Sequence, residues 1–225
     1  MNKWEVLLLL SSSPTYYRED MTEDNTDQCD CPSCITARLY PPHEDPADRK
    51  PFIVGIDIST KFIALGIVPA MGELTDTGSL LFSIDTKKQN ERCVEAHYKT
   101  LALLDIIDES IDITSVAIEA PVGFGGKLLP IVGAVTAACG PNTEWYSPTT
   151  WQKVIRNEYP LPEGEKMKER IHAAIGASVP QMSNVWDAST EDQRDAICIA
   201  LAHRIETLQS TDLTEQDLRW LQGGG

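Results

Sequence analysis

Four acidic residues stand where packing alone would not place them. Asp57 interrupts the apolar run Ile53-Val54-Gly55-Ile56-Asp57-Ile58, and Glu119 closes another, Val116-Ala117-Ile118-Glu119-Ala120. A strand covered on both faces calls for apolar side chains throughout, and burying an unpaired carboxylate costs several kcal/mol. One such acid would be a strand-end residue near water, but two at the ends of apolar strands point to a shared site. Asp192 and Asp195 are three apart, so they project from one helix face, and Ala196, Ile199 and Ala202 continue that stripe. Negative charge near a helix N-terminus accounts for Glu191 and Asp192. It leaves Asp195 as a core-facing acid in need of a partner. Four converging carboxylates cannot all ionise in a dry pocket without cations. Carboxylate oxygens suit Mg2+ or Mn2+ and not Zn2+, which prefers nitrogen and sulfur. Two such ions about 4 Å apart would activate a water and stabilise the departing oxygen of a phosphodiester, which is hydrolysis by in-line displacement.

The elements that must position these acids are legible from apolar spacing. Residues 52–58 and 62–69 are apolar, β-branched runs joined by the tight connection Ser59-Thr60-Lys61, and 79–86 is a third strand of an antiparallel meander. Helical spacing follows over 91–110, with Val94, Tyr98, Leu101, Leu104 and Ile107 on one stripe. Then come a buried strand at 114–120, a helix at 127–139 stopped by Gly140, and a short strand at 144–147. Thr149, after Pro148, caps a helix through Ile155; further helices are predicted at 163–177 and 190–208. This is an α/β order with a mixed five-stranded sheet, three antiparallel strands and then two more, flanked by helices.

Totals bound the rest. With 225 residues, 42% apolar and 24% charged, the composition is that of a globular protein with one ordinary domain plus extensions. No apolar run approaches the ~20 residues of a membrane helix, and residues 4–10 are too short and acidic for a secretory signal. The expected location is cytoplasmic. Residues 1–50 read as an irregular acidic extension, 51–209 as the folded domain, and 210–225 as a short C-terminal helix near 214–221 with a Gly tail. Cys93, Cys139 and Cys198 sit singly in helical patterns as small hydrophobes. Cys29, Cys31 and Cys34, with His43, could hold zinc, but no partner Cys pair accompanies them and a reduced tail segment is the plainer reading. His97 and His203 read as packed or surface helix residues, His172 as part of a DNA-facing surface, and Trp145 and Trp151 as core or interface. The formal charge is −15, and residues 51–210 carry 21 acids against 13 bases. A nucleic-acid partner would therefore meet a local basic face, for which Lys127, Lys153, Arg156, Lys166, Lys168 and Arg170 are the candidates.

Gly55-Ile56-Asp57-Ile58-Ser59, Ile118-Glu119, and Asp192-Gln193-Arg194-Asp195-Ala196-Ile197 fall in the order and spacing of RuvC-like Holliday-junction resolvases. Tyr146-Ser147-Pro148 followed by Lys153, then Gly164 and Lys168 before Ile171, resembles that family's Tyr-x-Pro and downstream lysine region. The resemblance runs from about residue 52 to 208, and the aspartate pair in the last helix is its most diagnostic part. It implies a ribonuclease-H-like fold and an endonuclease, dependent on Mg2+ with Mn2+ as a substitute, that cuts branched DNA as a homodimer with paired nicks. It further implies that Asp57, Glu119, Asp192 and Asp195 bind the metal, and that Lys168 contacts phosphate near the scissile bond, with Lys153 a second candidate for such a role. Family members are usually basic, whereas this chain is acidic. The family often carries an aromatic wedge after the second acid; here Phe124 lies five residues beyond Glu119 among Gly123, Gly125 and Gly126.

Other classes fit less of the pattern. An actin- or sugar-kinase-like ATP-binding protein also begins with an Asp-bearing strand turn, but it needs two such lobes and the chain holds one. A non-catalytic junction-binding subunit suits the acidic charge but has no use for costly buried acids. A nuclease acting on flaps or RNA shares the same metal site.

Overall fold

A computed structural model describes residues 49–120 and 126–210. At its centre is β1, Pro51–Ile58, whose apolar run is covered on both faces. The chain turns at Ser59, whose hydroxyl accepts from the amides of Lys61 (3.2 Å) and Phe62 (2.9 Å). It returns as β2, Phe62–Pro69, antiparallel to β1, and again as β3, Gly78–Ser83, antiparallel to β2. Helix α1, Gln89–Asp108, carries it across to β4, Asp112–Glu119, parallel to β1. Helix α2, Leu129–Cys139, leads to β5, Thr143–Tyr146, parallel to β4. The sheet order is β3-β2-β1-β4-β5, so the expected mixed five-stranded sheet is present. Four helices follow: α3, Pro148–Glu158; α4, Met167–Ser178; the short α5, Ser183–Ala188; and α6, Glu191–Ser210.

The two-residue period of the strands separates two cores. Phe52, Val54, Ile56 and Ile118 pack with α1 and α2 on one face. Ile53, Ala117 and the buried middle of α6 pack on the other, with Trp151 and Ile155 of α3 and Ile171 and Ile175 of α4 outside them. Helix α6 lies against β1 and β2 because Gly55 and Gly66, paired in the ladder, leave its backbone room. Nine consecutive residues of α6, Asp195 to His203, are buried.

Several expectations need correction. The stripe on α1 is rotated: Ala96, Thr100, Leu103, Leu104 and Ile107 are buried, while Val94 (47%) and Tyr98 (51%) are exposed. The cause is Glu95, which turns inward to accept from the amides of Asp85 and Thr86 and from Lys99 Nζ at 2.6 Å. Burial opposes its charge, but Lys99 and those amides hold its carboxyl below the usual range. Ser147, not Thr149, caps α3: its hydroxyl accepts from Thr150 N at 3.1 Å, and Pro148 takes the first helical position, where no amide is needed. The region predicted as one helix at 163–177 starts only at Met167, and a 3-10 turn at Pro180–Met182 and α5 were not anticipated. Cys198 is buried as expected, whereas Cys93 and Cys139 are half-buried. Of the two tryptophans expected in the core or at an interface, Trp151 is core at 1% exposure and Trp145 is exposed. His97 packs, its Nδ1 3.0 Å from Ala134 O, and His203 is buried between Tyr146 and Ser115. Among the described residues no helix is long and apolar enough to cross a membrane. The Cys29, Cys31, Cys34 and His43 group, Phe124 and the helix at 214–221 fall outside the described residues.

Candidate active site

Asp57 and Glu119 are set side by side by the parallel pairing of β1 with β4. Ile56 pairs with Ile118, so the next residue of each strand is its neighbour's counterpart. Both acids share the strand parity of Gly55 and Ala117 and thus face α6. The third and fourth acids come from that helix. Thr190 and Gln193 close its start reciprocally: Thr190 N donates to Gln193 Oε1 (3.0 Å) and Gln193 N to Thr190 Oγ1 (3.4 Å). Ser79 of β3 holds the same turn, accepting from Gln193 Nε2 at 3.1 Å. Asp192 therefore falls in the first turn of α6, half-buried, and Asp195 in the next, 2% exposed.

Two of the acids, Glu119 and Asp195, have protein partners. Glu119 Oε2 accepts from the indole Nε1 of Trp151 at 2.6 Å. Asp195 Oδ1 is 2.8 Å from His172 Nε2, and its Oδ2 is paired with Lys168 Nζ, which also lies 3.2 Å from Glu191 Oε1. The site remains short of positive charge. Burial, and then the charges of Glu119, Asp195 and Asp192, push the Asp57 carboxyl from 3.8 up to about 8, with Lys168 opposing. Glu119 is also raised, chiefly by burial, with the Trp151 hydrogen bond pulling the other way.

Among the described residues no three His, Cys, Asp or Glu side chains are drawn together tightly enough to form a metal cluster as they stand. The donor chemistry nevertheless fits a hard cation. All four acids offer oxygen only, they converge on one face of the sheet, and Lys168 is the cation that opposes the negative charge crowded around Asp57. Asp57, Glu119, Asp192 and Asp195 are the residues that could hold such an ion.

Of the basic residues singled out from the sequence, Lys168 alone touches the acids. Lys153 and Arg156 lie exposed on α3, the helix that carries Trp151. Lys166 is exposed and pairs with Glu169 at 2.7 Å. Arg170 Nε donates to Pro162 O at 2.7 Å, which gives its guanidinium a folding task. Lys127 is exposed just before α2. His172 does more than its position beside Arg170 suggested: its ring turns to Asp195 and edges onto Trp186, which joins it to the acid cluster. The signal was available, since Lys168 and His172 are four apart and share a helix face. Trp151 carried no such signal, because its contact with Glu119 spans 32 residues of sequence.

No family model matches the sequence, and no curated protein matches it. Among solved structures the chain is similar to T. thermophilus RuvC in complex with a Holliday junction substrate. The TM-score is 0.53 at 19% identity, over 71% of this chain and 96% of that one. It also resembles, more loosely, the Fowlpox virus resolvase solved with substrate Holliday junction DNA, with a TM-score of 0.38 and 17% identity over 70% and 98% of the two chains. The first likeness establishes the fold: the chain is an α/β protein with the ribonuclease-H-like architecture of RuvC.

Proposed function

We propose that this chain is a metal-dependent endonuclease of the RuvC-like kind, hydrolysing phosphodiester bonds in branched DNA and resolving four-way junctions by paired nicks as a homodimer. The observation that carries the reading is the convergence of Asp57, Glu119, Asp192 and Asp195 on one side of a ribonuclease-H-like sheet. These four would hold Mg2+ or Mn2+, which supplies, when bound, Lewis-acid charge for in-line attack by water on the phosphodiester, in a two-ion arrangement. Lys168 is placed to exchange its carboxylate partners for a phosphate oxygen of the strand being cut. His172 keeps Asp195 Oδ1 occupied while Oδ2 is released.

DNA would approach over α3 and the loop before α4, where Lys153 and Arg156 are exposed, with Lys127, Lys166 and Arg170 as further phosphate contacts and Phe124 as a residue that stacks at the branch. An acidic chain binding through so few cations should do so weakly and with a shallow salt dependence. The homodimer supplies the second site that paired cutting needs. Its support is α2, eleven residues without a charge and with Leu129 54% exposed.

The test is cleavage of a synthetic four-way junction with Mg2+ or Mn2+, beside linear duplex, a flap and an RNA–DNA hybrid. Paired symmetric nicks in the junction alone, absent from Asp57→Asn and Asp195→Asn, are expected. Cutting of flaps or hybrids instead would retain the nuclease and discard the resolvase. Junction binding without any cutting would make the chain a binding subunit.

A further inference from the structure

A carboxylate that is to bind a cation has two oxygens and a freely turning terminal torsion, so some neighbour must fix which oxygen it offers. Asp195 has such a neighbour in His172, which takes Oδ1. Glu119 has Trp151. The ring of Trp151 is 1% exposed, packed among the residues of α3, α4 and α6, and it sits in a helix whose start is fixed by the Ser147 cap. An indole has a single polar atom, a donor that neither accepts a proton nor ligates a metal. That one donor is directed at Glu119 Oε2 over 2.6 Å. A lysine there would neutralise Glu119 and compete with a cation for it; a neutral N–H orients the carboxylate and leaves its charge in place. A large ring buried in the core of the α6 face also holds its position more firmly than a flexible chain would.

We propose that Trp151 is a positioning residue for Glu119: its indole N–H takes Oε2 and leaves Oε1 for the cation. The proposal rests on the reading of the four acids as a metal site.

The experiment uses the full-length 15N-labelled chain, whose five tryptophans give separate indole signals. The Trp151 signal is identified by its loss in Trp151→Phe, a change that keeps most of the packing and removes the donor. The expected result has three parts. The Trp151 indole signal moves in Glu119→Gln. It moves in the wild type on addition of Mg2+, with the midpoint that calorimetry gives for Mg2+ binding. Trp151→Phe, with an unchanged far-ultraviolet circular dichroism spectrum, binds Mg2+ about tenfold or more weakly, the usual cost of losing an outer partner of a ligand. Should Trp151→Phe fail to fold, the Trp151 signal is assigned in the wild type from its nuclear Overhauser contacts with neighbouring core residues, and the two indole shifts in chains that keep Trp151 decide the matter. An indole signal indifferent to Glu119→Gln or to Mg2+, or Mg2+ binding by Trp151→Phe equal to that of the wild type, overturns the positioning role alone. Absence of Mg2+ binding by the wild type overturns the metal-site reading and the positioning role with it.

Discussion

Gly55 of β1 and Gly66 of β2 are direct partners in the antiparallel ladder, and the backbone of α6 passes over both. A methyl group on Gly55 would overlap Ala196 O and Ala200 N, and one on Gly66 would overlap Ala196 C with the N and Cα of Ile197. These are main-chain atoms, which no rotamer change can move. The paired glycines thus set the depth at which α6 sits on the sheet, and Asp195, the residue before Ala196, is carried to its place beside Asp57 by that depth.

Gly66→Ala should therefore shift α6 and not merely crowd it. The expected loss of stability is about 1–3 kcal/mol, the usual cost of overpacking, measured by urea denaturation. Mg2+ affinity should fall alongside, because Asp195 moves with the helix. A variant with wild-type Mg2+ affinity would show that the helix accommodates the methyl without displacing its acid.

The acids of the site and their partners differ in how far the sequence makes them legible. Asp57 and Glu119 stand out because each breaks an apolar strand run, and Thr190 with Gln193 announces the start of the last helix. The strands and the opening meander follow from runs of β-branched residues and short turns, whereas the place of β4 beside β1 is set by the tertiary pairing. The buried face of α1 is hidden in the sequence because Glu95 looks like a surface acid until the amides of Asp85 and Thr86 are brought over it. Trp151 read simply as a core or interface residue for a similar reason: a tryptophan's packing is visible in its type, but the destination of its N–H is decided by tertiary geometry.

Asp57 should make the metal-free protein lose stability as pH rises. Burial and the neighbouring acids raise its carboxyl from 3.8 to about 8, so the folded chain binds that proton more tightly than the unfolded chain does. Unfolding free energy then falls with pH between those two values and levels off above the upper one. Asp57→Asn has no such proton to lose. In chelator, wild type and variant should melt alike near about pH 4 and diverge toward about pH 8, where Asp57→Asn is the more stable. Saturating Mg2+ should restore the wild type at the upper pH, since a ligand of the folded state stabilises it by mass action. Parallel melting curves across this window would contradict the burial and crowding of Asp57.

Lys168 is predicted to affect binding and cutting in opposite directions. Its ammonium lies on Asp195 Oδ2 and within 3.2 Å of Glu191 Oε1. Burial opposes its charge, yet those two carboxylates hold it well above its ordinary range. A cation entering the site must displace it. Lys168→Met removes the competitor, so Mg2+ should bind on the order of tenfold more tightly, which is ~1.4 kcal/mol. Junction cleavage at saturating Mg2+ should nevertheless fall by about 100-fold, the loss typical of removing one donor to a developing charge. Calorimetry and single-turnover cleavage separate the two effects. Weaker Mg2+ binding in Lys168→Met would show that the lysine organises Asp195 and does not compete for it.

The apolar helix α2 makes the proposed dimer testable independently of catalysis. Over Leu129–Cys139 it has no charged residue, and Ile131, Val132 and Val135 are its buried positions. Leu129 is 54% exposed, and on the adjoining α1 Val94 and Tyr98 are exposed as well. A helix apolar all round is normally covered on all sides, and a second copy of the chain would cover this one. Leu129→Glu should weaken self-association by about tenfold or more, given the ~1.5–3 kcal/mol that burying a leucine contributes. Sedimentation velocity over a concentration series measures this. The folded monomer should keep its melting temperature, because Leu129 leaves the core untouched. It should still nick a junction, but without coupling the two cuts, so that singly nicked product accumulates. A wild-type chain that remains monomeric at tens of micromolar would place any pairing of cuts elsewhere than at α2.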